Sequence, residues 1–108
     1  MVLQSGALAT VMMRLARAHG IGVSKLICMG NEAVVDTADI IEHLIADTET
    51  HVVVTFAEQF RSGRRFLELA RQALVAGKAI VVLKAGGRRK ERKLRSHIRV
   101  RWLVTKPL

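Results

Sequence analysis

Leu3-Gln4-Ser5-Gly6-Ala7-Leu8 decides how this chain is read. It is a small, polar step out of the short apolar run Met1-Val2-Leu3 and into a strongly periodic segment. Ser5 is a favoured helix N-cap, Gly6 lets another group approach the backbone closely, and the first amides of such a helix have no intrahelical acceptor. A helix start of this kind is suited to holding an anion through its N–H groups and dipole. Taken alone, a Ser-Gly pair does no more than cap a helix. Three later apolar runs, however, also end in small or polar residues: Gly30-Asn31-Glu32, Glu58-Gln59 and Lys84-Ala85-Gly86-Gly87. In an open parallel sheet all four ends collect on one rim.

The segments between these ends alternate in character. From Gly6 to His19, Leu8, Val11, Met12 and Leu15 recur at helical spacing, and Gly20 supplies a left-handed stop. Lys25-Leu26-Ile27-Cys28-Met29 reads as a short buried strand, with Cys28 as a small buried hydrophobe. Asp36 or Thr37 caps a second helix whose stripe is Ile40, Ile41, Leu44 and Ile45. The β-branched run His51-Val52-Val53-Val54-Thr55-Phe56 is a strand covered on both faces. A third helix runs from about Ser62 to Ala76, with Phe66, Ala70, Ala73 and Leu74 inward, and Ala79-Ile80-Val81-Val82-Leu83 is a fourth strand. Short links between alternating strands and helices predict a parallel sheet with right-handed crossovers and helices on both faces.

The chain has 108 residues, enough for one domain with its own core, and half of them are hydrophobic. The formal charge of +9 is unevenly placed: eight Lys/Arg balance eight Asp/Glu up to Leu83, and ten basic residues against Glu91 alone follow from Lys84. Cys28 is the only cysteine, so an internal disulfide is excluded and a reducing compartment, by default the cytoplasm, is expected. No apolar run reaches the roughly 18 residues of a membrane span, so no membrane partner is expected. His19 and His43 have no Cys or His at ligand spacing, and no metal site is predicted. Residues 1–87 form the predicted domain and 88–108 an irregular basic tail.

The strand-end motifs together resemble one family. Leu3-Gln4-Ser5-Gly6-Ala7-Leu8, Gly30-Asn31-Glu32-Ala33 with Val35-Asp36, Glu58 ahead of Gly63-Arg64-Arg65-Phe66, and Val81-Val82-Leu83-Lys84-Ala85-Gly86 resemble the NDP-forming acyl-CoA synthetases. These are relatives of the succinyl-CoA synthetase alpha subunit, and the similarity, from about Val2 to His97, is to their flavodoxin-like CoA-ligase domain. The resemblance implies a three-layer α/β fold with a parallel sheet of about four strands. It also implies a reaction that interconverts acyl-CoA, phosphate and ADP or another NDP with the free acid, CoA and ATP or the matching NTP, with no covalently held cofactor. The family passes the phosphoryl group through a histidine, and Ser96-His97 stands at nearly the matching distance, although Ile98-Arg99-Val100 replaces the family's Thr-Gly-Ala. By resemblance, His97 is the phosphoryl carrier and Glu58 its orienting carboxylate. Ser5, Gly6 and Ala7 bind the phosphoryl oxygens, and Gly30, Asn31, Lys84 and Gly86 line the pocket. For Glu58 by itself, an exposed carboxylate paired with Arg61 or Arg64 is the competing reading.

The chain contains neither the ATP-grasp portion nor the CoA-binding domain of that family, so the resemblance implies partner domains or subunits and inactivity without them. Two other functions are open on sequence grounds. One is a non-catalytic domain, with a homodimer covering its edge strand. The other is a polyanion binder using the basic tail, but Trp102 is the tail's sole aromatic, so a nucleic-acid partner is not expected.

Overall fold

A computed structural model describes residues 1–30, 34–57, 60–84 and 101–105 of the chain. Strand and helix alternate as β1 (Val2–Leu3), α1 (Gly6–Ala18), β2 (Ile27–Cys28), α2 (Thr37–Ala46), β3 (Val52–Ala57), α3 (Gly63–Val75), β4 (Ala79–Lys84) and β5 (Arg101–Thr105). The sheet order is β2-β1-β3-β4-β5, with the first four strands parallel. The order β2-β1-β3-β4 is that of the flavodoxin-like fold. Because the chain moves from β1 to one side and then crosses back to β3, right-handed crossovers put α1 on one face and α2 and α3 on the other.

Residues 88–108, read from sequence as an irregular basic tail, depart from that expectation at Arg101–Thr105. There β5 pairs antiparallel with β4, from Lys84↔Arg101 to Ile80↔Thr105. A strand at a sheet edge needs only one neighbour and no alternating pattern deep enough for two covered faces, so periodicity did not reveal it.

The core lies on the α2/α3 face. Val2, Val53, Ile80 and Val82 of the sheet form one buried cluster with Ala38, Ile41 and Leu44 of α2 and Phe66, Leu69 and Ala73 of α3. Thr55 follows Val53 by two residues and so shares that face. It is 0% exposed, and its Oγ1 has no hydrogen-bond partner among the described residues. Valine keeps the branched shape and removes the hydroxyl, so Thr55→Val is expected to stabilise the domain by about 1 kcal/mol. That change corresponds to a rise in Tm of about 4–8 °C for a domain of this size, readable by calorimetry.

The α1 face is packed differently from the sequence expectation. Leu3 is buried there, but the buried residues of α1 are Ala9 and Ala16, while Val11 and Leu15 are 52% and 49% exposed. Small side chains let the helix lie close on the sheet, which turns the bulkier half of its stripe outward. One helix cannot cover the face that two cover opposite. Val54, Phe56, Val81 and Leu83 accordingly remain only half-buried. Cys28 is exposed rather than buried, because β2 is a two-residue edge strand flanked only by β1. Leu74 is likewise exposed, and Leu69 takes the inward place on α3.

The turn from α2 to β3 is a fastened joint. Lys25 Nζ pairs with Asp47 Oδ2 at 2.7 Å and Glu49 Oε2 at 3.3 Å, and Lys78 Nζ donates to the carbonyls of Leu44 and Asp47 at the end of α2. The hydrogen bonds from Lys25 and from the Thr50 hydroxyl hold the Asp47 carboxyl down at about 2. Asp39 is lowered as well, by the backbone N–H of Asp36 and by Arg65. A carboxylate with a depressed native pKa stabilises the fold above its unfolded value and loses that contribution as pH falls through the native one. Stability is therefore expected to hold above about pH 4 and to decline toward pH 2. In urea titrations, Asp47→Asn should flatten the decline over that window.

Candidate functional site

The C-terminal rim of the parallel strands is where helix starts gather. The register aligns Cys28, Leu3, Phe56 and Leu83 across β2, β1, β3 and β4. Two residues beyond that line lie Gly30 after β2 and Ser5 after β1, and the bond from Met29 N to Leu3 O, 2.9 Å, holds the first of these ends beside the second. Gly30 has φ +62°, a left-handed conformation that turns the chain away from the strand direction and that a side chain would strain. β1 is also the switch point of the sheet, since the crossovers on its two sides run over opposite faces. Open sheets of this kind bind ligands at such a point.

The helix starts on this rim differ in electrostatics. Ser5 Oγ accepts from Leu8 N at 3.4 Å and Ser5 O from Ala9 N at 3.0 Å, which leaves the Gly6 and Ala7 amides without a partner among the described residues. The first turn of α1 holds no acidic residue, and Ser5, Gly6 and Ala7 are exposed. α2 is already occupied by its own carboxylates. Asp39 N donates to Asp36 Oδ1 and Asp36 N to Asp39 Oδ2, each at 2.9 Å, a reciprocal capping box. α3 is capped by Ser62 Oγ, which accepts from Arg65 N at 3.2 Å. The Arg65 guanidinium bridges to α2, at 2.7 Å from Asp39 Oδ1 and 3.0 Å from Glu42 Oε2. These partners raise its pKa further, so it stays charged. Sequence periodicity left Arg65 off the inward face of the third helix, with no further role. The cue to its role was the acidic first turn of α2, which needs a cation and finds one on the next helix.

Of the residues predicted for the site, Ser5, Gly6, Ala7 and Gly30 stand together on this rim, and Lys84 closes β4 at the same edge. Asn31, Glu58, Gly86 and His97 lie outside the described residues. Their nearest described neighbours are Gly30, Ala57, Lys84 and Arg101, and the last three are paired side by side across β3, β4 and β5. Among the described residues no group of three or more metal-ligating side chains is present, and no helix is long and apolar enough to cross a membrane.

Residues 1–101 match the family described as succinyl-CoA ligase like flavodoxin domain. The chain belongs to that family. This succinyl-CoA ligase-like flavodoxin domain is 35% identical over 83 residues to acetate–CoA ligase [ADP-forming] I of Archaeoglobus fulgidus, covering 77% of the chain and 12% of the relative. It is 37% identical over 86 residues to the alpha subunit of acetate–CoA ligase [ADP-forming] I of Pyrococcus furiosus, covering 80% of the chain and 18% of the relative. Among solved structures, the dinucleotide-forming acetyl-coenzyme A synthetase 1 of Ca. Korarchaeum cryptofilum, in complex with phosphate and ADP, superposes with a TM-score of 0.72 at 32% identity. That match covers 79% of the chain and 18% of the synthetase. The succinyl-CoA ligase-like domain thus spans less than a fifth of the length of the relatives it matches.

Proposed function

We propose that this chain serves as the CoA-ligase domain of an NDP-forming acyl-CoA synthetase, working with CoA-binding and ATP-grasp domains or subunits. Residues 1–87 form the CoA-ligase domain, and 88–108 form a basic extension that carries His97. The observation that carries this reading is the start of α1, whose neutral cap and two amides without a partner among the described residues lie at the switch point of the sheet. In the overall exchange, phosphate displaces CoA from acyl-CoA to give an acyl phosphate. His97, as the neutral imidazole, attacks phosphorus and releases the carboxylate, and the phosphoryl group then passes from nitrogen to the terminal oxygen of ADP. Glu58 accepts the other ring N–H, fixing the tautomer and balancing the charge that develops. The Gly6 and Ala7 amides and the α1 dipole hold the phosphoryl oxygens, an arrangement that needs no reorganisation as charge builds.

The test runs the transfer backwards. The chain is mixed with a complementing ATP-grasp subunit and γ-labelled ATP, and the expected product is acid-labile, base-stable phosphate on His97. Label no higher than in a His97→Ala control overturns the assignment.

A further inference from the structure

Phe60 is a large aromatic residue in a loop, and nothing above uses it. It lies between β3 and α3, half-buried, and its ring stacks on Phe66 of α3 with centroids 4.2 Å apart and planes 22° from parallel. Phe66 is 7% exposed and belongs to the core cluster, so the Phe60 ring rests on a partner that the core already holds. The same loop is seated against the start of α2. Phe60, Arg61 and Ser62 share a crevice with Asp36, Thr37 and Ala38, and at about 10 Å³ it admits no more than one water. Directly afterwards Ser62 caps α3, and Arg65 is tied to Asp39 and Glu42 of α2. The chain is therefore fastened at Phe60 before α3 begins. Upstream, Ala57 is the last residue of β3 and pairs with Lys84 of β4. Only Glu58 and Gln59 join Ala57 to Phe60, and three peptide links reach about 10 Å at most. Fixing both ends limits where residue 58 can stand.

We propose that Phe60 is a positioning residue for the phosphoryl transfer: its stack on Phe66 and its seat on α2 set where the chain leaves the rim after β3, and so set Glu58 against His97. The inference rests on Glu58 acting as the carboxylate partner of His97, as proposed above. Phe60 itself touches no substrate. A stacked ring suits this task because aromatic pairs add a preferred orientation to plain burial, which an aliphatic side chain in the loop would not supply. Holding a reacting group in place is worth much in rate, and a small displacement gives much of it up.

The test uses the full chain with a complementing ATP-grasp subunit and γ-labelled ATP, and follows the rate at which His97 is labelled. Phe60→Ala is expected to slow labelling by about tenfold to a hundredfold, the cost of misplacing a reacting group by about 1 Å. Phe60 is half-buried and outside the helices, so the variant should fold, which circular dichroism checks. Phe60→Leu, with the bulk but not the ring, should slow labelling in the same direction, and Phe60→Tyr, which keeps the ring, should label at the unaltered rate. In a Glu58→Gln background, Phe60→Ala should cost no more than about twofold further, because its effect runs through a carboxylate that is already gone. The pH midpoint of labelling should also move toward acid in Phe60→Ala, since a histidine that loses a neighbouring carboxylate gives up its proton more readily. A merely structural role moves neither readout. Ile80→Val trims the core at a buried residue of β4 far from the rim, so it controls for lost stability and should label normally. An unchanged rate in Phe60→Ala, or its full loss repeated in the Glu58→Gln background, overturns the proposal. If the unaltered chain gains no more label than His97→Ala, the phosphohistidine reading itself falls, and the role of Phe60 falls with it.

Discussion

Replacing Ile41 by alanine is expected to cost about 2–5 kcal/mol, the range for truncating a fully buried isoleucine. The side chain is 0% exposed and sits on α2 within the cluster that joins the sheet to both α2 and α3. Removing it loses the transfer free energy of its outer carbons and leaves a cavity between rigid elements that relax only in part. Domains of this size have about 5–15 kcal/mol in total, so a large share of the stability goes with one residue. Urea denaturation reads the effect as a lowered midpoint at unchanged slope. Val11→Ala supplies the contrast, because Val11 is on α1 and half-exposed, and its change should stay within about 0.5 kcal/mol. Equal effects at the two positions would mean that the two faces of the sheet share the load, contrary to the packing described here.

That contrast also marks what the sequence could and could not convey. The β-branched runs of β3 and β4 and the glycine after α1 were legible because they follow from local chemistry: Gly20 takes a φ of +66° just past α1. The stripe of α2 was legible too, since Ile41 and Leu44 are buried where its period places them. The α1 stripe misled, because periodicity identifies an apolar face without saying how wide a surface waits beneath it. Cys28 misled for the same reason, as burial of a strand depends on its neighbours in the sheet. β5 was invisible, being defined by its partner β4 rather than by its own pattern. At the candidate site, the cap at Ser5 and the turn at Gly30 could be read from residue type. Their adjacency could not: it rests on the register that aligns Leu3 with Cys28. Arg65 needed three-dimensional contact with α2 to acquire a role.

If the start of α1 cradles a phosphoryl group, Ser5→Asp should reduce labelling of His97 by about tenfold or more while leaving the fold intact. Aspartate is as good an N-cap as serine and still accepts from the backbone, so the helix should keep its stability to within about 0.5 kcal/mol. What changes is the charge at the mouth of the site. Two unit charges at about 4 Å repel by about 4 kcal/mol at an effective dielectric of about 20, and Ser5 is exposed, so solvent and salt reduce that figure. An energy of about 1.4 kcal/mol already gives the tenfold loss. Ser5→Ala should behave in the opposite way. It gives up the cap, costing about 1 kcal/mol of stability, yet keeps the Gly6 and Ala7 amides and leaves labelling close to that of the unaltered chain. The paired result separates an electrostatic role from a structural one, because a helix start that merely caps would be hurt by alanine and indifferent to aspartate. Wild-type labelling in Ser5→Asp would move the phosphoryl site away from α1.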